Sequence, residues 1–170
     1  IPSILRYPLA KFISKKRAPV AKTIYKEIGN KSPILELTQD QAISLENKLL
    51  AKGHYKCFVA MRCWHPRAID VIKKVKEFNP AEIILLPLYP QFSAATSGSS
   101  INEWNNLCKE QNFNIKTKTI CCYPTESNFI ESHVNLIKKT IQNIEDKNFK
   151  LLFSAHGLPE IKIKKGDPYQ

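Results

Sequence analysis

The strongest constraint on the fold is an alternation between short aliphatic runs and longer stretches with helical spacing. The aliphatic runs cover residues 55–61, 82–88, 115–122 and 149–155. Apolar spacing of three and four predicts helices over residues 18–28, 37–52, 68–78, 99–111 and 126–143. Strands that alternate with helices form a parallel sheet. The pattern therefore predicts an α/β protein: a Rossmann-like three-layer domain with a parallel four-stranded sheet.

Length and composition agree with one compact domain. A chain of 170 residues, 43% of them apolar, can bury a core, and no linker or repeat divides it. Residues 1–170 are therefore predicted to form a single domain. The formal charge of +11 predicts attraction to an anionic partner. Nucleic acid is not expected, because the lysines are spread along the chain without a zinc-finger or RNA-binding signature.

Cysteine usage and hydropathy indicate the compartment. The chain has five cysteines, an odd number, and none are in the CxxC spacing of zinc or redox sites. Free thiols fit a reducing environment. No apolar run approaches the roughly twenty residues that cross a bilayer. We therefore expect a cytoplasmic protein, with any membrane contact made peripherally, on the inner face of the membrane.

Each aliphatic run leads into a loop with chemically distinctive residues. These loops are residues 62–66, 89–93, 123–124 and 156–157. Because parallel strands end at one edge of a sheet, where ligands of open α/β sheets bind, all four loops should meet there. The sequence thus predicts a pocket lined by aromatic rings, a guanidinium, hydroxyls and imidazoles.

Several familiar chemistries lack their motifs. Neither GxGxxG nor GxxxxGK[ST] is present, which argues against dinucleotide or nucleoside triphosphate chemistry. GxSxG and HExxH are also missing. The Gly/Ser turn at 97–100 is open to two interpretations, an anion site at a helix start or an ordinary N-cap. His156 at a strand end is likewise either a buried structural histidine or part of an open site.

Several motifs in this order resemble the ferrochelatase family, whose members insert ferrous iron into a porphyrin to make haem. The match spans essentially the whole chain. Its most specific part is Ser-Ala-His-Gly-Leu-Pro at 154–159. The motifs that carry the resemblance lie at residues 9–13 with Arg17, and at 25–33, 62–66, 88–100, 152–159 and 166–169.

The resemblance implies that His156 is the catalytic histidine of the porphyrin cleft and a metal ligand. Metallation removes two pyrrole protons while hydrated Fe²⁺ sheds water, and an imidazole can accept a proton or ligate iron. Which of the two it does is left open. The resemblance also implies that the pocket binds the macrocycle distorted.

Eight further residues match polar or apolar positions of the family's cleft or its rim. For Tyr25 and Phe92 a role in the core is an equal alternative, and His65 is interpreted as structural. The implied porphyrin-binding residues are Arg17, Tyr25, Ser32, Met61, Arg62, Trp64, Tyr89 and Phe92.

The resemblance also bears on cofactors and membranes. No cofactor is expected, Fe²⁺ being a substrate, and Ala94 stands where members with an iron–sulfur cluster carry cysteine. Residues 1–12, followed by three basic residues, match a segment at the cleft mouth. Apolar insertion with attraction to anionic lipid would allow peripheral membrane contact, with an ordinary surface helix as the alternative. Protoporphyrin IX and coproporphyrin III both remain open as substrates, as does the oligomeric state.

We expect the chain to be the first of two such domains, lacking the first strand and the C-terminal domain that carries the family's catalytic carboxylate. The fragment alone is then expected to be inactive. Two alternatives are kept: a non-catalytic module that binds tetrapyrroles or anions, and a chelatase for another metal or tetrapyrrole.

Overall fold

The computed structural model describes residues 2–146 and 148–169. A short 3₁₀ helix, Leu50–Lys52, follows the second α-helix. In chain order the elements are α1 (Ser3–Lys26), α2 (Ile34–Leu49), α3 (Ala68–Phe78), β1 (Glu82–Leu85), α4 (Ser97–Glu110), β2 (Lys116–Thr119), α5 (Ser127–Gln142) and α6 (Glu160–Lys164). The chain divides into two compact units, one ending at Val59 and the other beginning at Ala60. One domain over residues 1–170 stays a prediction.

The first unit consists of helices. Helix α1 begins well before the predicted residue 18 and contains Pro8 and Pro19. It carries seven basic residues and no acidic ones, and it buries none of its residues. Its exposed apolar side chains include Ile4 and Phe12. No helix in the described part of the chain is both long and apolar enough to cross a membrane.

The core of the second unit lies between α3 and α4. Helix α3 repeats apolar residues at spacings of three and four, so they share one face. It ends at Asn79 in the left-handed conformation (φ 51°), followed by Pro80, a typical helix stop. The buried apolar residues are Ala68, Val71, Ile72, Val75 and Trp104.

The sheet of the described residues has two strands rather than four. Strands β1 and β2 are parallel, and Glu82 pairs with Lys116 at the start of the register. Of the other predicted strands, residues 55–61 contribute only an isolated bridge between Met61 and Arg67, and residues 149–155 have no regular structure. Strands exist only where a neighbour accepts their backbone hydrogen bonds, and strand propensity does not replace that neighbour. The α/β class is confirmed at the level of helices with a small parallel sheet.

Candidate functional site

The loops after β1 and β2 lie side by side, as expected for parallel strands. Tyr123 joins them, because its hydroxyl donates to the Pro87 carbonyl at 3.0 Å. Its amide donates to the Pro90 carbonyl at 2.8 Å. The ring also contacts Phe129 edge to face, with centroids 5.4 Å apart. Burial raises the pKa of Tyr123, which keeps the phenol neutral and able to donate.

Arg62 lies in a charged cluster with the first turns of α4. Its Nε donates to Ser99 Oγ at 2.8 Å, and its Nη1 lies 3.4 Å from Glu103 Oε1. The same carboxylate oxygen accepts from Arg67 Nη2 at 2.8 Å. Hydrogen bonding to Glu103 raises the pKa of Arg67. Glu103 on α4 therefore binds two guanidiniums and holds the Arg62 side chain against this helix.

An open groove of about 540 Å³ lies beside this cluster. Ser99 and Glu103 line it together because they are four residues apart on one helix face. Arg62 is the predicted site residue that lines it. The full lining is Arg62, Ala94, Ser99, Asn102, Glu103, Asn106, Leu107 and Glu110.

The loop before α3 presents two other predicted residues. It is closed by the Met61 amide, which donates to the Pro66 carbonyl at 2.8 Å, and the His65–Pro66 bond is cis. Met61 itself is half-buried. Trp64 is 64% exposed and meets the His65 ring edge to face, with centroids 6.0 Å apart. The loop thus offers the Trp64 ring to solvent.

The loop before α4 is anchored by the C-terminal end of the chain. Ser93 is fully buried, and its hydroxyl donates to Asp167 Oδ2 at 2.9 Å. The Ala94 amide donates to the same oxygen at 3.0 Å, and the Tyr169 amide donates to Asp167 Oδ1 at 3.2 Å. Asp167 thus holds together two segments 74 residues apart in sequence.

Phe92 and Tyr89, from the loop that follows β1, have different surroundings. Phe92 is half-buried, and its Cζ lies 3.1 Å from where a Cβ on Gly98 would be, so any larger residue at position 98 would require the Phe92 ring to shift by a few tenths of an ångström. Tyr89 is 53% exposed. Phe92 is therefore a packing residue of the α4 start, whereas the Tyr89 ring is accessible.

His156 is exposed and lies in the irregular segment that precedes α6. Leu158, two residues later, is half-buried. The turn after α6 is closed by the Asp167 amide, which donates to the Lys162 carbonyl at 3.2 Å. The segment that carries His156 is therefore followed by one that Asp167 fixes to the Ser93 loop.

Three predicted site residues belong to the first unit. Arg17 is exposed on α1, and Tyr25, near its end, is 40% exposed. Ser32 precedes α2, and its hydroxyl accepts from the Ile34 amide at 3.4 Å. Ser32 thus has a local role at a helix start, and its role in porphyrin binding stays a prediction.

Partners of the predicted residues were missed by sequence reasoning. Ser99 lies in a motif singled out as a Gly/Ser turn, and the i, i+4 spacing to Glu103 was the available signal. Asp167 lies in a recognised motif that had no assigned role. Within residues 2–146 and 148–169, no three His, Cys, Asp or Glu side chains gather as a metal-binding group.

Comparison with known proteins identifies the family. A family model described as Ferrochelatase matches residues 1–170. The ferrochelatase of Pelagibacter ubique (strain HTCC1062) is 65% identical over 173 residues, which cover 100% of this chain and 50% of that protein. The ferrochelatase of Rickettsia felis (strain ATCC VR-1525 / URRWXCal2) is 50% identical, over 99% of this chain and 48% of its own. The chain spans about half the length of the curated relatives it matches, and it belongs to the ferrochelatase family.

Proposed function

We propose that the full-length protein to which this chain belongs is a ferrochelatase, which inserts Fe²⁺ into protoporphyrin IX to form haem. The observation that carries this proposal is the family match over residues 1–170, which includes the Ser-Ala-His-Gly-Leu-Pro motif around His156. This chain supplies one half of the site, and alone it is inactive.

His156 acts on the reacting atoms. Its imidazole is exposed, so a macrocycle or a hydrated iron ion can reach it without displacing a packed neighbour. Imidazole binds Fe²⁺ and also accepts protons near neutral pH. His156 therefore either receives a pyrrole proton or ligates the iron as it enters the ring. The family resemblance implies an acidic partner for His156 from the C-terminal domain.

Arg62 binds a porphyrin carboxylate. Its guanidinium is already oriented by Ser99 Oγ at 2.8 Å, while Glu103 shares its charge with Arg67 at 2.8 Å. A guanidinium can bind a carboxylate with two parallel hydrogen bonds. The side chain of Arg62 is 39% exposed, which leaves donors available to the ligand.

Exposed aromatic rings bind the macrocycle. Tyr89 and Trp64 expose more than half of their surface, which stacking on a flat tetrapyrrole would bury. The half-buried Met61 is a further apolar contact of the macrocycle, and the alternative role of Phe92 in packing is supported by its contact with Gly98. The family resemblance also assigns polar contacts with the porphyrin to Arg17, Tyr25 and Ser32.

We assign no resident cofactor and no iron–sulfur cluster, and we place the protein in the cytoplasm with peripheral membrane contact. The contact uses α1, which combines exposed apolar residues with seven basic residues and no acidic ones. Such a helix is attracted to anionic lipid. Co-sedimentation of the full-length protein with anionic vesicles, and not with neutral ones, tests this.

The finer fold belongs to the same proposal. In the full-length protein, residues 55–61 and 149–155 join β1 and β2 in a four-stranded Rossmann-like sheet, the first of two such domains. The support is the apolar character of both runs, including Leu152 and Phe153, which are 88% and 84% exposed here. Slow amide hydrogen exchange at 149–155 in the full-length protein is expected, and exchange at the rate of an open loop would contradict it.

The activity test uses full-length protein under anaerobic conditions with Fe²⁺ and either protoporphyrin IX or coproporphyrin III. Formation of the metalloporphyrin, followed by absorbance, is expected with at least one of them. Porphyrin binding without metallation would instead favour a binding module. Metallation with Co²⁺ but not Fe²⁺ would assign another chelatase.

A further inference from the structure

Cys121 and Cys122 form a pair of adjacent thiols just beyond the end of β2. Their sulfur atoms lie 3.0 Å apart, and both residues are exposed. Adjacent side chains of a strand point to opposite faces, so such proximity requires a backbone that has left strand geometry. Strand β2 ends at Thr119, two residues before the pair. The strand end thus turns both thiols to one side.

The backbone on both sides of the pair is fixed. The Ile120 amide donates to the Leu85 carbonyl at 2.9 Å. The Tyr123 amide donates to the Pro90 carbonyl at 2.8 Å. These bonds attach the residues before and after the pair to the β1 strand end and its loop. The two sulfurs are therefore held close to each other before any ligand arrives, which lowers the entropy cost of binding through both.

We propose that Cys121 and Cys122 are a vicinal dithiol site that binds a trivalent thiophilic centre, such as an organoarsenical, through both sulfurs. Sulfur ligands select soft centres. A bond to sulfur of about 2.3 Å, as in metal thiolates, spans a 3.0 Å separation at an angle of roughly 80°. The two thiols are a bidentate ligand of suitable width.

The absence of a third donor decides the kind of centre. In the described part of the chain no third His, Cys, Asp or Glu joins the pair as a metal-binding group. Structural Zn²⁺ needs four protein ligands, so the pair does not make a zinc site. A trivalent arsenical brings its own third substituent and needs only two sulfurs.

The binding step is balanced without an oxidant. An arsenoxide, R–As=O, reacts with two Cys–SH groups to give R–As(S–Cys)₂ and one water. Two S–H bonds break and two As–S bonds form, and the oxygen leaves with both protons. Arsenic remains trivalent throughout.

The test treats the full-length protein with one equivalent of phenylarsine oxide, followed by a wash with a monothiol and tryptic mapping. The fragment 119–138 contains both cysteines and no other. We expect the adduct on that fragment, resistant to the monothiol and removed by a dithiol such as 2,3-dimercaptopropanol. An adduct found only on other fragments would overturn the proposal.

Single variants test whether retention of the adduct requires both thiols or only one exposed thiol. Cys121→Ser and Cys122→Ser should each reduce the retained adduct on 119–138 at least tenfold, since one sulfur cannot chelate. The matched control is Cys63→Ser, which removes an exposed thiol with no cysteine next to it in sequence and should leave retention unchanged. Full retention in either Cys121→Ser or Cys122→Ser would contradict the site. The outcome does not depend on the proposed ferrochelatase activity.

Discussion

Helix α3 and the segment 149–155 are both apolar in sequence, yet only the helix buries its apolar side chains. Ile72 on α3 is 0% exposed, whereas Leu152 is 88% exposed. A helix satisfies its own backbone hydrogen bonds, so α3 needs only α4 against one face. A strand needs another strand along its edge. An apolar pattern therefore determines a helix locally, while a strand also depends on a partner elsewhere in the chain.

The largest expected loss of stability comes from a substitution in the buried face of α3. Ile72→Ala in the full-length protein should lower the free energy of unfolding by about 2–5 kcal/mol, because it opens a cavity between α3 and α4. Denaturant unfolding followed by circular dichroism measures this. Ile69→Ala, on the same helix but 42% exposed, is the control and should cost less than about 1 kcal/mol. Equal losses would mean that the α3–α4 contact is not the core.

A smaller effect is expected where a long-range contact does form. Asp167→Asn should cost about 1.5–3 kcal/mol, because the buried Ser93 hydroxyl and the Ala94 amide lose a carboxylate acceptor. Thermal unfolding of the full-length protein measures the loss. Glu160→Gln provides a control, since its ion pair with Lys164 is exposed. If both variants have the same melting temperature, the link between the C-terminal turn and the Ser93 loop does not contribute to stability.

The smallest effect concerns the exposed ion pairs across the two strands. Glu82 contacts Lys116 at 2.8 Å and Lys118 at 2.7 Å, and its hydrogen bond with Lys116 is the main cause of its lowered pKa. Because the pKa of Glu82 is lower in the folded protein, its ionised carboxylate stabilises the fold at pH values above the ordinary glutamate pKa. This stabilisation is lost as the pH falls through the lowered pKa of the folded state. Glu82→Gln should thus slightly lower the melting temperature at pH 7, and the difference should shrink on acidification.

The comparison for this prediction is Glu131→Gln on α5. Glu131 is exposed, and its replacement should leave the melting temperature at pH 7 close to that of the unsubstituted protein. A Glu82→Gln difference that grows as the pH is lowered would contradict the assigned pairing.

The sequence predicted the elements that local patterns determine. Helix α3 was predicted with its observed bounds, and the starts and ends of α4 and α5 within two residues, because their apolar residues repeat on one face. Strands β1 and β2 lie within their predicted runs. The start of α1 was missed, because its apolar residues do not mark a buried face.

The sequence predicted candidate site residues from the chemistry of the loops, but not the contacts that surround those residues. The loop chemistry pointed to Arg62, Tyr89 and His156. The hydrogen bonds of Arg62 to Ser99, and of Asp167 to Ser93, join residues 37 and 74 positions apart. Contacts at such separations depend on how helices and strands pack in three dimensions, which no local pattern encodes.

The most direct test of the account is iron insertion by the full-length protein carrying His156→Ala, with His133→Ala as the control. His133 lies on α5 and its Nδ1 is 2.9 Å from the Phe129 carbonyl, a local contact. We predict that His156→Ala lowers the rate of Fe²⁺ insertion at least about 100-fold, as expected for loss of a proton acceptor or metal ligand. Porphyrin affinity should be largely retained, and His133→Ala should remain active. Unchanged turnover in His156→Ala would contradict the assignment of this histidine to the reaction.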